Sequence, residues 1–187
     1  GESLQAIDAA LSVARSLADR AAAGLARRCE RDGRIDAGRL DERGVAAYEL
    51  ALASAELLAA ETLLDYARRA PADAVSLALA AVVAADAVHS VQTRLDPLRN
   101  EFGLENDIAE TVFANAAVRR CIESGSAPGF RAAVGSSILS GSDEVAPAPL
   151  DEDRALAQES FARFAREQVA PVAEHIHREN ADIPEEI

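Results

Sequence analysis

Glu174 and His177 stand three residues apart near the end of the chain, a spacing that places both side chains on one face of a helix. Helical bundles hold two iron ions with such Glu-x-x-His pairs, but they need two copies of the pair and two further glutamates. This sequence has one copy, and His175 would point about 200° away from His177 on a helix. The pattern therefore favours exposed polar side chains over a metal site.

Asp86 and His89 form a second polar pair, three residues apart in the most apolar segment of the chain. A buried carboxylate and imidazole at this spacing could exchange a proton as an acid–base pair. The sequence offers no third group that would complete a catalytic triad. A buried histidine more often satisfies a hydrogen bond within the core. We therefore interpret the pair as buried and structural.

Hydroxyl and thiol groups were the remaining candidates for chemistry. The Gly-Ser-Ser motif at 135–137 and the Gly-Ser pair at 141–142 fit neither a nucleophile elbow nor a phosphate-binding loop, and we interpret them as loop residues. Cys29 and Cys121 lie far apart and form no Cys-x-x-Cys motif, which is typical of two buried, reduced thiols in the cytoplasm. The residues themselves thus assign no catalytic, cofactor-binding or metal-ligating side chain.

The composition indicates the kind of protein that carries these residues. Of the 187 residues, 49% are hydrophobic but only 4% are aromatic, and abundant alanine favours long, closely packed helices. A chain of this size buries enough surface to fold without disulfides or a metal. The net charge of −13, from 32 acids and 19 arginines, argues against nucleic acid and anionic membranes as partners. The longest apolar run, residues 74–85, is too short to span a bilayer.

Apolar residues that recur at spacings of three and four predict four long helices. They cover about residues 3–32, 36–69, 73–95 and 107–124, with Ser3 and Asp73 as caps, Gly33 ending the first helix and Pro71 closing the second. The third helix is apolar on nearly every side and is expected to be the central one. The apolar positions of the second helix recur at helical spacing: Leu40, Ala47, Tyr48, Ala51, Leu52, Ala55, Leu58, Thr62 and Tyr66.

The last quarter of the chain differs from this bundle. A short helix is expected at 130–139, and residues 140–149, rich in Gly, Ser and Pro, predict a linker. Asp151 then caps a last helix, which Pro171 should kink because it removes a hydrogen bond. Its apolar face contains Leu156, Phe161, Phe164, Ala165, Val169, Val172 and Ile176. The predicted fold is all-α: an up-down bundle at 1–139, a linker at 140–149 and a separate kinked helix at 150–187.

Residues 150–187 resemble the opening helix of the acyl-CoA dehydrogenase family. The matching features are the acidic cap after Leu150, Phe161, the run Phe-Ala-Arg-Glu at 164–167, Val-Ala-Pro at 169–171, and Pro-Glu-Glu at 184–186. The resemblance implies an enzyme that binds FAD, oxidises an acyl-CoA thioester and passes electrons to electron-transfer flavoprotein. It also implies a homo-oligomer in the cytoplasm.

The long helical segment before that helix resembles the methylsuccinyl-CoA dehydrogenase branch of the family, which oxidises (2S)-methylsuccinyl-CoA to mesaconyl-CoA. Gly-Arg-Ile-Asp at 33–36, Ala47-Tyr48 and Asn-Ala-Asp-Ile-Pro-Glu-Glu at 180–186 are similar to that branch. The family's catalytic glutamate, flavin-binding strands and CoA-binding residues would all follow Ile187. We therefore expect this chain to be a fragment that itself binds no cofactor, and the resemblance transfers no site residue to it.

Two other classes of function stay open. One is a non-enzymatic helical module that binds another protein, and the other is a metal-binding bundle, which has only the single Glu-x-x-His pair in its favour. The helix at 150–187 separates the first of these from the flavoenzyme, because a free-standing adaptor has no need of it.

Overall fold

The computed structural model describes residues 2–69, 74–104, 114–141 and 150–184. The fold is all-α, as predicted, and the chain divides into two compact units, residues 1–146 and 147–187. In chain order the elements are α1 (Glu2–Cys29), β1 (Glu30–Arg31), β2 (Arg34–Ile35), α2 (Ala37–Asp41), α3 (Gly44–Arg69), α4 (Ala74–Leu95), a 3₁₀ turn (Asp96–Leu98), α5 (Arg99–Phe102), α6 (Ala116–Ser126), α7 (Pro128–Ser140), α8 (Glu152–Phe164), a π-helical turn (Ala165–Val169) and α9 (Ala170–Glu179).

The first predicted helix ends earlier than expected, and its ending has a different cause. α1 ends at Cys29. The next residues form an antiparallel hairpin whose two strands have two residues each, and not a helix cap. Asp32 and Gly33 have φ angles of 52° and 76°, the left-handed pair that a tight hairpin turn requires. Gly33 therefore turns a hairpin, and the strands around it are the only ones in the described ranges.

The second predicted helix is divided in two, and its apolar positions do not share one environment: Leu40 and Ala47 pack against the core, whereas Tyr48 and Leu58 are exposed. Asp36 caps the short α2, with its carboxylate accepting from the Arg39 amide at 2.9 Å, and α3 begins again at Gly44. The side of α3 that is buried consists of alternating alanine and leucine at heptad spacing: Ala46, Leu50, Ala53, Leu57, Ala60, Leu64 and Ala67. Alanines in this register allow neighbouring helices to approach closely.

α4 is the central helix, as predicted, and contacts α1, α3, α6 and α7. Its fully buried side chains are mostly alanines and valines near its middle and end, while Leu77, Leu79, Val82 and Val83 are only partly buried. The helical segment at residues 74–102 is also long and apolar enough to cross a membrane, and its most apolar 18-residue window has a mean hydropathy of 1.8. Core helices pass the same test; α4 contacts four other helices of the bundle, and 39% of this window is buried.

α5 is anchored against α1 where Gly24 leaves no side chain in the way. A Cβ atom at Gly24 would lie 1.8 Å from the carbonyl oxygen of Phe102, so the two backbones are in direct contact. The Phe102 side chain is fully buried. This contact closes the end of the bundle where α1 and α4 finish.

The described part of the fourth predicted helix is α6. Asn115 caps it, accepting hydrogen bonds from the amides of Ala117 and Val118 at 2.9 and 3.2 Å. α6 continues through Gly125, where the sequence predicted it to have stopped already. α7 is slightly longer than the short helix predicted at 130–139, and it includes the Gly-Ser-Ser motif at 135–137, which is therefore helical and not a loop.

The second unit is the predicted last helix, with Asp151 as its cap. The Asp151 carboxylate accepts from the Arg154 amide at 2.9 Å. The interruption expected at Pro171 is a π-helical turn just before it, in which the Ala170 amide donates to the Ala165 carbonyl. The wider turn accommodates the proline ring, which would otherwise collide with the carbonyl of Glu167.

Some sequence-based predictions lie outside the described residues. They are the helix end at Pro71, the cap at Asp73, the start of the fourth helix at Asn106 or Asp107, most of the 140–149 linker and the final Glu185-Glu186.

Candidate functional site

Five of the apolar positions predicted for the second helix lie on the side of α3 that faces away from the core. We define the α3 outer face as Val45, Tyr48, Ala51, Ala55, Leu58 and Thr62, which follow one another at spacings of three and four. Val45 is 69% exposed, Tyr48 62% and Leu58 61%. α3 therefore has two apolar stripes, one buried in the bundle and one exposed on its surface.

The charges beside the α3 outer face are all compensated within the chain. Arg94 of α4 donates to Glu49 at 2.7 Å, to Glu56 at 3.0 Å and to the Ser90 hydroxyl at 2.8 Å. These hydrogen bonds to the carboxylates of Glu49 and Glu56 raise the pKa of Arg94 above its usual range. These bonds hold the two carboxylates of α3 against α4, so they present little free charge to solvent.

Glu61, on the next part of α3, is paired in the same way. Arg15 of α1 donates to both of its carboxylate oxygens, at 3.0 and 2.9 Å, in the two-bond geometry that makes such pairs strong. The bond to Glu61 also raises the pKa of Arg15. Asp65 pairs with Arg69 one turn later, at 2.7 Å. The outer face is therefore an apolar strip without unpaired acids along its border.

Asp86 and His89 are not buried, and they do not pair with each other as the sequence analysis expected. Both are exposed, because they lie on the side of α4 that faces solvent. Asp86 is bound instead by the guanidinium of Arg131 from α7, which also donates to the carbonyl of Gly125 at 2.9 Å. Arg131 thus joins three helices, and His89 lies beside Glu49 in a shallow groove between α3 and α4.

The Glu174–His177 pair is on the surface of α9. Glu174 forms an ion pair with Arg178 one turn away, and both His175 and His177 are exposed. In the described ranges, no group of three or more His, Cys, Asp or Glu side chains is close enough to bind a metal ion.

The hydroxyls and thiols have local partners. Ser137 donates to the carbonyl of Ala133 within α7, at 3.0 Å. Cys29 and Cys121 are free and buried, which confirms the predicted burial of both thiols. Burial raises the pKa of the Cys121 thiol to about 11, so the thiol is neutral at physiological pH. Among the residues that the structure describes, no basic side chain forms a hydrogen bond to Ser137, Cys29 or Cys121 that would make it a nucleophile.

The α3 outer face is the most distinctive feature on the described surface of the bundle. Both the exposed stripe and the buried stripe of α3 show helical spacing in the sequence. Both also contain alanine, so the residue types do not show which stripe faces the core. The chain matches no protein-family model and no curated protein. The candidate site is thus the α3 outer face, an exposed apolar stripe on the bundle.

Proposed function

We propose that this chain is a scaffold and oligomer-contact bundle at the N-terminal side of a longer, cytoplasmic FAD-dependent acyl-CoA dehydrogenase. The single observation that carries the contact role is the α3 outer face. An apolar stripe of this length on a helix that is already packed on its other side is typical of a protein–protein contact. The enzymatic part of the proposal comes from the resemblance of residues 150–187 to the opening helix of that family.

A second copy of this chain fits the α3 outer face best. Each copy carries a net charge of −13, so two copies repel each other, and this repulsion is smallest where they meet through a surface with little charge. The outer face has no charged side chain, and the neighbouring acids Glu49, Glu56 and Glu61 are paired with arginines of their own chain. Two such faces can pack on each other around a twofold axis, with the same residues on both sides.

The exposed face of the last helix supports the idea of a larger enzyme. Leu156 is 64% exposed, Phe161 75% and Phe164 43%. Single helices owe most of their stability to the packing of an apolar face. In a dehydrogenase, the rest of the first domain would cover these side chains. FAD and the acyl-CoA thioester would bind to the part of the enzyme that follows Ile187, and electron-transfer flavoprotein would accept the electrons.

Sedimentation velocity tests the contact role. We expect the 187-residue chain to form a dimer, which Leu58→Arg should weaken. Each dimer contains the substitution twice, and the loss of two buried leucines costs about 3 kcal/mol or more, roughly a hundredfold in Kd. Leu139→Arg is the matched control, because Leu139 is 89% exposed on α7, away from the outer face. A monomeric chain, or a dimer equally stable with Leu58→Arg, would contradict the contact role.

The enzymatic part needs a separate experiment. Reading the gene beyond the codon for Ile187 should reveal a continuing dehydrogenase sequence. The longer protein should then retain FAD and oxidise an acyl-CoA with electron-transfer flavoprotein as acceptor. A stop codon directly after Ile187 would refute this part and leave the alternative, a non-enzymatic helical interaction module, which uses the same outer face.

A further inference from the structure

A cleft of about 830 Å³ opens on another side of the bundle, between α1, α4, α6 and α7. We call it the α1–α6 cleft. Its volume lies within the range of about 300–1,000 Å³ found for small-molecule sites. Its lining residues belong to the first unit and include Ile7, Ala81, Arg120, Cys121, Gly125 and Phe130.

The inner part of the cleft is apolar and uncharged. Ile7 and Cys121 are each 5% exposed, and the ring of Phe130 is half-buried. The Cys121 thiol stays protonated at neutral pH because burial raises its pKa. The walls contain alanines, whose small side chains leave the space open. Gly125 has no side chain, so the backbone of α6 lies directly against Ala81 of α4.

Arg120 gives this apolar cleft one positive charge. The side chain is exposed, and no acceptor for its guanidinium is found in the described part of the chain. By contrast, Arg15, Arg94 and Arg131 are all held by carboxylates. Gln5 and Ser124 add an amide and a hydroxyl to the same lining. A free guanidinium beside an uncharged hollow is complementary to a molecule with one anionic group and an apolar body.

We propose that the α1–α6 cleft binds a carboxylate with a linear aliphatic tail. The carboxylate pairs with Arg120, and the tail lies along Ile7, Cys121 and Phe130. A single guanidinium matches one carboxylate and not the several phosphates of a nucleotide. This binding is independent of the flavoenzyme proposed above, since every residue it uses is in the helical bundle.

Isothermal titration calorimetry with decanoate, below its micelle concentration, tests the proposal on the 187-residue chain. We expect saturable binding at one site. Arg120→Ala should weaken it about tenfold or more, the usual effect of losing a charge-assisted hydrogen bond. The matched control is Arg119→Ala, which removes the neighbouring exposed arginine outside the cleft. Decylamine, which has the same tail and the opposite charge, should not bind detectably.

Two further measurements locate the bound molecule. Decanoate should slow the alkylation of Cys121, detected by mass spectrometry, and Arg120→Ala should require correspondingly more decanoate for the same protection. Ala117→Leu, which fills part of the cleft and leaves Arg120 in place, should also weaken binding, and circular dichroism checks that each variant is folded. Absent binding, equal affinity in Arg120→Ala, or equal binding of decylamine would overturn the proposal.

Discussion

Replacing Gly24 with alanine is expected to destabilise the bundle by about 2–4 kcal/mol, although alanine is the better helix former. The new Cβ would lie 1.8 Å from the carbonyl oxygen of Phe102 and 2.8 Å from its carbonyl carbon. Both are backbone atoms of α5, so no side-chain rotation can relieve the collision. α5 must move by roughly 1.6 Å to restore an ordinary contact distance of 3.4 Å.

The size of the effect follows from what that movement disturbs. Phe102 is 0% exposed, and complete loss of a buried phenylalanine costs about 3–5 kcal/mol. Alanine returns about 1 kcal/mol through its higher helix propensity. The difference gives the expected loss, which corresponds to a decrease of about 5–15 °C in Tm for a protein of this size.

Gly135→Ala is the matched control. Gly135 is also inside a helix, α7, but a Cβ there would meet nothing within 4 Å. Only the propensity changes, so this variant should be more stable than the native chain by about 0.5–1 kcal/mol. Urea and thermal unfolding followed by circular dichroism give both values. If Gly24→Ala matched Gly135→Ala in stability, the close contact between α1 and α5 would be wrong.

Three further predictions concern single groups. Burial raises the pKa of Cys121 from 9.0 to about 11, so the unfolded chain loses this proton at a lower pH than the native chain does. The stability is therefore complete below pH 9 and declines by up to roughly 2–3 kcal/mol towards pH 11. Urea titrations across this range should show that Cys121→Ala removes the decline, and an unchanged pH profile would argue against the buried thiol. His89→Leu should change stability by less than about 0.5 kcal/mol in thermal unfolding, since His89 is exposed, and a larger loss would mean that the imidazole has a structural role. The 187-residue chain, passed over a gel-filtration column with FAD, should retain no flavin, because its sequence contains no glycine-rich phosphate cradle; stoichiometric yellow protein would refute this.

Local chemistry at the ends of elements could be read from the sequence. Asp151 caps α8 because its short carboxylate reaches the amides of the first turn, an interaction within four residues. Pro171 disturbs the last helix because its missing amide and its ring act on the adjacent turn. The all-α class and the central position of α4 followed in the same way from alanine content and from apolarity on nearly every side.

The partners of charged residues could not be read from the sequence. Asp86 and His89 are neighbours on one helix, yet the carboxylate is bound by Arg131, 45 residues away. Arg94 similarly joins Glu49 and Glu56 from a different helix. These pairs depend on which helix faces are brought together, and spacing along one helix does not contain that information.

The two stripes of α3 separate what the sequence determines from what the tertiary structure decides. The sequence by itself determined that α3 is a helix with apolar residues around most of its circumference, because helix propensity and periodicity act within a few residues. Only the tertiary structure decided that Leu50, Leu57 and Leu64 face the core while Tyr48 and Leu58 face solvent. The physical reason is packing: alanine and leucine in one register let α4 approach closely, whereas the register that contains Tyr48 would hold the two helices further apart.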